Sequence, residues 1–157
     1  MDLGDRMKLY EKVSQIDLTK RMPCIIRIDG KAFHTLTRGM DKPWDMRLVD
    51  CMLDSTKHLC ENVQGVKLAY WQSDEVSLLL TDYEQLTTSA WFDKNVQKMV
   101  SVSASIMTAY FNDGYTNTFY DRHVTKVFFD SRVFILPKEE VCNYFIWRQQ
   151  DAERNSI

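Results

Sequence analysis

The 157-residue sequence has only five glycines and three prolines, and it contains no internal repeat and no linker rich in proline, glycine or serine. These shortages exclude collagen-like and low-complexity chains and favour one compact domain. No apolar run approaches the roughly 18 residues that a membrane span needs, and the first residues lack the basic and apolar blocks of a secretory signal. We therefore expect a cytoplasmic protein with no membrane partner.

The four cysteines form no Cys-x-x-Cys pair, and three of them lie in apolar segments. We interpret them as reduced core residues, and no zinc site is expected at this spacing. The net charge of −2 gives no polycation signature. Because nucleic-acid binding depends on a local basic patch rather than on the total charge, the charge leaves that function open.

The apolar pattern predicts strands over 24–29, 67–71, 75–81 and 127–136. Three-and-four spacing predicts helices from Pro43 to before Gly65, from 91 to 112 with a stop at Gly114, and from 138 to about 150; a short helix is also predicted over 7–14. The order from residue 23 is strand, helix, strand, strand, helix, strand. This order favours the α+β ferredoxin-like fold (βαββαβ), with helices packed on an antiparallel sheet.

Three acidic residues are expected at one edge of this sheet. Asp29 ends the first strand, and Asp74 and Glu75 lie at the tip of the neighbouring hairpin. Carboxylates held together repel each other unless a cation lies between them, and hard oxygen ligands suit magnesium. The alternative, from the residues alone, is an ordinary Asp-Gly turn beside a solvated hairpin end.

The segment that follows Asp29 is suited to a triphosphate. Gly30 allows a bend after the strand, so that successive backbone N–H groups would face the phosphates. Lys31 and His34 would add charge or a ribose contact, and Lys42 offers a cation at a helix start. Each of these side chains also has an ordinary interpretation as a solvated surface residue.

Two further polar features allow more than one interpretation. Trp147 with Arg148 would stack on a base, but the helical spacing of Trp147 from Tyr144 is more typical of a core residue. Ser73 has no paired histidine and no nucleophile-elbow context, so a serine hydrolase is not expected.

Two strings, IRIDGKAFH over 26–34 and YWQSDEVS over 70–77, resemble the signatures of the tRNA-histidine guanylyltransferase family. The resemblance continues through Lys42-Pro43, QKMVSVSAS over 97–105, FDSRV over 129–133 and WRQ over 147–149. These motifs follow the order and spacing of the family over nearly the whole chain. The family resemblance therefore favours a functional role for the carboxylates.

The resemblance implies a polymerase-palm-like catalytic domain over 23–150, preceded by an N-terminal helical extension over 1–22. Residues 151–157 would begin a C-terminal region that this chain lacks. The implied activity is that of a magnesium-dependent nucleotidyltransferase, which adds nucleotides in the 3′-to-5′ direction to the 5′ end of tRNA with GTP and ATP as substrates. A homo-oligomer is also implied, since the family forms tetramers.

The same resemblance assigns roles to individual residues. Two Mg²⁺ ions would be held by Asp29, Asp74 and the carbonyl of Gly30, and Glu75 would be the additional essential catalytic acid beside Asp29 and Asp74. The residues that match the nucleotide-binding segments are Asp29, Gly30, Lys31, Ala32, Phe33, His34, Lys42, Ser73 and Asp74.

Two departures from the eukaryotic pattern favour the bacterial and archaeal branch, which is associated with template-dependent repair of 5′-truncated tRNA. Asn95 stands where the family has an arginine, and the ending over 150–157 lacks the eukaryotic histidine- and asparagine-containing motif. One alternative is addition of a single 5′ guanosine to tRNA-histidine. Others are a non-catalytic ferredoxin-like module that binds RNA or nucleotides, and a palm domain that forms cyclic or dinucleotide products.

Overall fold

Four antiparallel strands form the sheet that the apolar alternation predicts. In the computed structural model, which describes residues 1–42, 45–120 and 126–155, the strands are β1 (Cys24–Gly30), β2 (Val66–Gln72), β3 (Glu75–Leu80) and β4 (Phe129–Ile135). Their order across the sheet is β2-β3-β1-β4, and each neighbouring pair is antiparallel. The predicted α+β ferredoxin-like fold is therefore confirmed.

The helices of the described chain are α1 (Leu3–Val13), α2 (Phe33–Leu36), α3 (Met46–Asn62), α4 (Val96–Thr118) and α5 (Val141–Asn155). Helices α3 and α4 pack against each other and against one face of the sheet. Helix α5 contacts residues of β3 that point to the opposite face, through Tyr144 to Ser77 and Arg148 to Glu75. The sheet therefore has one core face and one face that α5 covers in part.

The core face is built from alternate residues of the two central strands. Three register pairs of β1 and β3 are buried there: Cys24 with Leu80, Ile26 with Leu78, and Ile28 with Val76. Because successive strand residues point to opposite faces, Arg27, Asp29, Glu75 and Ser77 lie on the α5 side. The apolar alternation thus determines which face carries the polar residues.

Helix α4 begins and ends later than its apolar spacing predicts. Phe92, Asp93 and Lys94 have φ angles of 49°, 53° and 59°, which a right-handed helix cannot contain, so Trp91–Lys94 forms a separate left-handed turn before α4. Asn95 then caps α4, because its Oδ1 accepts a hydrogen bond from the N–H of Lys98 at 3.0 Å. Gly114 does not end the helix, which packs against α3 at this point and continues to Thr118.

A buried cation attaches the N-terminal segment to the domain. Lys94 Nζ donates to the carbonyls of Thr19 and Met22 at 2.9 and 2.8 Å, and it lies 3.3 Å from Asp82 Oδ1. The side chains of Lys94 and Asp82 are only 3% and 5% exposed. Helix α1 itself has no buried residue, so the segment after it supplies the buried contacts with the domain.

Other sequence expectations are met to different degrees. Cys24 and Cys51 are buried and free, as predicted, but the core interpretation is wrong for Cys142, which is exposed on α5. Helix α1 begins earlier than the predicted 7–14, and α3 begins at Met46. Pro43, the predicted first residue of that helix, lies outside the described residues. Within those residues, no helix has the length and apolar character that crossing a bilayer requires.

Candidate active site

Asp29 and Asp74 meet at one end of the sheet. Asp29 lies near the end of β1, where it pairs with Glu75 of β3, and Asp74 belongs to the two-residue turn between β2 and β3. The N–H of Gly30 donates to the carbonyl of Asp74 at 3.0 Å. This bond joins the end of β1 to the hairpin turn and brings the two carboxylates together.

Gly30 has no room for a side chain at this junction. A Cβ atom on Gly30 would lie 2.5 Å from Cδ2 of Phe33 and 3.2 Å from Cβ of Asp74. Phe33 is buried and packs against Phe111 and Phe129, so its ring cannot move aside without disturbing the core. The close approach of β1 to the hairpin turn therefore requires glycine.

The hairpin turn is held in a conformation that favours glycine. Ser73 has a φ of 52°, and such left-handed residues are needed in two-residue hairpin turns. For a non-glycine residue this conformation costs roughly 1–3 kcal/mol. The indole N–H of Trp71 donates to the carbonyl of Ser73 at 2.8 Å and helps to fix the turn that carries Asp74.

The two carboxylates resist ionisation together. Burial raises the pKa of Asp74 to about 6, and the neighbouring Asp29 carboxylate contributes to this rise. Burial also raises the pKa of Asp29, and the charges of Glu75 and Asp130 add to the effect. A cation between Asp29 and Asp74 would relieve their repulsion, and their hard oxygen atoms are ligands that magnesium prefers.

Glu75 is committed to an ion pair with Arg148 rather than to the metal site. Its Oε2 accepts from Arg148 Nε at 2.8 Å and its Oε1 from the terminal guanidinium nitrogen at 3.0 Å. No group of three His, Cys, Asp or Glu side chains in the described part of the chain is placed to hold one metal ion. The three carboxylates lie at one edge of the sheet, as expected, and the guanidinium of α5 neutralises the third of them.

The loop after β1 only partly matches the expected phosphate cradle. The N–H of Gly30 bonds to Asp74, and the N–H of Lys31 donates to the carbonyl of Phe128 at 2.8 Å. Those two donors are therefore not available to a triphosphate, contrary to the expectation. Ala32, with a φ of 59°, precedes the short helix α2, so the N–H groups of Phe33 and His34 are among the donors that a helix start leaves without intrahelical partners.

A cleft of about 250 Å³ opens beside the hairpin turn. Three predicted nucleotide-binding residues from separate segments, Phe33, Lys42 and Ser73, line this cleft together. Lys31 and His34 are exposed but are not among its lining residues. Three of the nine predicted nucleotide-binding residues therefore line this cleft.

Comparison with known proteins identifies the family. A family model described as tRNAHis guanylyltransferase matches residues 4–137. The chain belongs to this family. The tRNA(His) guanylyltransferase of Schizosaccharomyces pombe is 29% identical over 96% of this chain, and the chain covers 56% of that relative. The chain thus spans little more than half the length of this curated family member.

Solved structures of bacterial relatives show the same fold. A bacterial tRNA(His) guanylyltransferase-like protein in complex with ATP is 50% identical, with a TM-score of 0.95 over 99% of this chain and 67% of that chain. A structure of such a protein in complex with GTP is also 50% identical, with a TM-score of 0.94 and coverage of 99% and 74%. These similarities confirm the resemblance to the family and to its bacterial branch.

In this family member, Arg27, Trp147 and Arg148 make contacts near the site that the sequence did not predict. Trp147 is 46% exposed, so the core interpretation is wrong for it. The guanidinium carbons of Arg27 and Arg148 lie 5.5 and 4.2 Å from the centroid of its ring. No local pattern relates Arg148 to Glu75, since 73 residues separate them. The signal that was available is the spacing of Tyr144 and Arg148, which places both side chains on one face of α5.

Proposed function

We propose that this chain is the catalytic part of a nucleotidyltransferase that adds nucleotides in the 3′-to-5′ direction to the 5′ end of tRNA. Its main reaction would be template-dependent repair of tRNA that lacks 5′ nucleotides. The observation that carries this proposal is the pair of carboxylates, Asp29 and Asp74, held together through Gly30. Membership of the tRNAHis guanylyltransferase family supports the assignment.

The site is suited to magnesium, with GTP and ATP as the nucleotide substrates. Asp29, Asp74 and the carbonyl of Gly30 would hold two Mg²⁺ ions, because the donors are hard oxygens, burial raises the pKa of both carboxyl groups, and the charge of Asp29 adds to the rise at Asp74. Bound magnesium would lower the pKa of the attacking hydroxyl and neutralise the charge of the triphosphate. Bacterial relatives in complex with ATP and with GTP support the choice of nucleotides.

The chain's own residues would bind and orient the reactants. The cleft between Phe33 and Ser73 would accept the incoming nucleotide, and Lys42 would supply positive charge for its phosphates. The tRNA 5′ phosphate would first attack the α-phosphorus of ATP, which transfers AMP to it and releases pyrophosphate, or the tRNA would already carry a 5′ triphosphate. The 3′-hydroxyl of the nucleotide then attacks the 5′ phosphorus, a new P–O bond forms, and AMP or pyrophosphate leaves.

Two observations favour repair over the addition of one guanosine. The bacterial guanylyltransferase-like structures are 50% identical to this chain. Asn95, where the family has an arginine, is used within the fold: it caps α4 and its Nδ2 donates to Asp17 at 3.2 Å. Without that cation, base pairing with the acceptor strand would select the nucleotide. Addition of a single 5′ guanosine remains the second candidate, because curated family members carry the name tRNA(His) guanylyltransferase.

A module that only binds RNA fits the sheet poorly. Single-strand binders of this topology stack bases on aromatic side chains of the central strands. The α5 side of β1 and β3 carries Arg27, Asp29, Glu75 and Ser77 instead, and α5 contacts both Glu75 and Ser77. The arrangement therefore favours catalysis over base stacking.

The decisive assay uses a tRNA that lacks its first nucleotide beside an intact tRNA-histidine, each with ATP, magnesium and labelled nucleoside triphosphates. We expect extension of the shortened tRNA with the nucleotide complementary to the acceptor strand, and slower reaction of the intact tRNA. Asp29→Asn serves as the inactive control. Addition of guanosine alone to tRNA-histidine, with no filling of the shortened acceptor, would favour the second candidate. Cyclic or dinucleotide products from GTP alone would contradict both.

The family also suggests a homo-oligomer, and the composition suggests a cytoplasmic location. Both stay predictions for this chain. Sedimentation at several protein concentrations would test the first, and fractionation of the cells that produce the protein would test the second.

A further inference from the structure

The ion pair between Arg148 and Glu75 lies beneath the hairpin turn that carries Asp74. Both residues are buried, with 4% and 8% exposure, and the guanidinium binds both carboxylate oxygens at 2.8 and 3.0 Å. Gln72 Nε2 also donates to Glu75 Oε2 at 3.2 Å and to the carbonyl of Arg148 at 3.0 Å. Both oxygen atoms of the Glu75 carboxylate therefore accept hydrogen bonds.

These bonds hold both ends of the hairpin turn. Gln72 is the last residue of β2 and Glu75 the first of β3, and the two are register partners on either side of Ser73 and Asp74. Through Gln72 and Glu75, both sides of the turn are tied to one residue of α5, Arg148. Glu75 is also the register partner of Asp29, so the same contact fixes the turn relative to β1.

The pairing also makes Glu75 a poor metal ligand. A guanidinium that donates to both of its oxygens satisfies the carboxylate and places a positive charge where a metal ion would have to lie. Asp29 and Asp74 have no such cation as a hydrogen-bond partner among the described contacts. Asp29 and Asp74 are thus suited to bind a metal ion, whereas Glu75 is suited to hold the turn in position.

We propose that Arg148, acting through Glu75, is a positioning residue that sets the Asp74 carboxylate opposite Asp29. Glu75 then contributes to activity by holding the turn, not by touching the metal or the reacting atoms. The inference rests on the proposed function, because it assigns how the nucleotide site of that reaction is assembled. Groups that orient ligands from outside the site typically change metal affinity or activity by about 10- to 100-fold.

The test is a cycle of Glu75→Gln, Arg148→Met and the double variant E75Q/R148M. Each single variant removes the same ion pair, so a Glu75 that acts only by holding the turn should lose no more in the double variant than in the weaker single variant. The readouts are Mn²⁺-dependent GTP binding by calorimetry, thermal unfolding, and extension of a shortened tRNA. Arg148 also donates to Asp151 Oδ2 at 2.8 Å, so Asp151→Asn is the control for that second contact. Arg154→Met is the control for loss of a cation on α5, because Arg154 is exposed and contacts only Asp151 in the described structure.

We expect Arg148→Met and Glu75→Gln each to weaken Mn²⁺-dependent GTP binding by about tenfold or more, and the double variant to match the weaker of them within about threefold. Arg154→Met should match wild type. If Arg148→Met does not fold, Arg148→Lys, which keeps the cation but not the paired hydrogen bonds, takes its place. A Glu75→Gln variant that loses far more binding or tRNA extension than the Arg148 variant would show that Glu75 acts directly, and a double variant whose loss equals the product of the two single losses would show that the two residues act separately; either result would overturn the proposal.

The binding readout separates this inference from the proposed function. Wild type that binds GTP with Mn²⁺ but extends no tRNA would contradict the proposed function alone, since the cycle could still be measured by calorimetry. Wild type that extends tRNA, with single variants whose losses multiply in the double variant, would contradict the positioning role alone.

Discussion

Replacement of Asp74 by asparagine is expected to stabilise the metal-free protein at neutral pH. Asp74 is partly buried beside Asp29, and its pKa is raised to about 6 from 3.8. Because the folded state binds this proton more tightly than the unfolded state, ionisation lowers the free energy of unfolding as the pH rises from about 4 to about 6, and the loss persists above that range. After a discount for solvent screening, we expect the loss to be about 1 kcal/mol.

Urea unfolding of wild type and Asp74→Asn at pH 4, 5, 6 and 7 in EDTA measures this effect. Relative to wild type, the free energy of unfolding of the variant should rise by about 1 kcal/mol between pH 4 and pH 7. This difference corresponds to roughly 2–4 °C in melting temperature for a domain of this size. Manganese should then stabilise wild type more than the variant. Asp113→Asn, at an exposed carboxylate on α4, is the matched control.

Equal pH dependence in wild type and Asp74→Asn would refute this reasoning, because it would show that the Asp74 carboxylate ionises in the folded protein without a penalty. Greater stabilisation of the variant than of wild type by manganese would refute the assignment of Asp74 as a metal ligand.

Three further substitutions test separate parts of the structure. Asp29→Ala should slow nucleotide addition by roughly 1,000-fold or more, because loss of metal-ion catalysis costs several kcal/mol, while its melting temperature should not fall; single-turnover extension within threefold of wild type would contradict the metal site. Gly30→Ala should lose about 1–3 kcal/mol of stability, because its Cβ would meet the ring of Phe33 at 2.5 Å, and urea unfolding that shows no change would mean that the loop adapts freely. Lys94→Met should lower the free energy of unfolding by about 3–5 kcal/mol, because Asp82 is left buried without its cation. The double variant with Asp82→Asn should recover most of this loss. No recovery would assign the effect to the hydrogen bonds of Lys94 with backbone carbonyls instead.

The sheet was predictable from sequence because polar residues interrupt its apolar strands at alternate positions. In β1, Cys24, Ile26 and Ile28 point to the core face; Ile25 is equally buried, but Arg27 and Asp29 alternate with the core residues and indicate the face on which Asp29 lies. The hairpin followed from the spacing of two apolar runs. Both signals are local, so that a single sequence is enough to detect them.

The start of α4 and the partner of Glu75 were not predictable for different physical reasons. At the start of α4, apolar periodicity continues through Trp91–Lys94, and the left-handed residues there are stabilised by distant contacts, such as those of Lys94 with Thr19 and Met22. Glu75 meets its partner only after α5 has folded back across the sheet. The family resemblance identified Glu75 as an important acid, but it carried no information on what that side chain contacts.

The register of β1 limits where this protein can change in length. Strand β1 is paired on both sides, with β3 and with β4, from Cys24 to Asp29. Insertion or deletion of one residue inside it would move the Asp29 carboxylate to the apolar side and Ile28 to the other. The tip of the connection between β3 and α4 is not constrained in this way, because its Leu86 is almost fully exposed, although Asp82 at its start is held by Lys94. An insertion scan should therefore find length changes tolerated near Leu86 and rejected throughout β1.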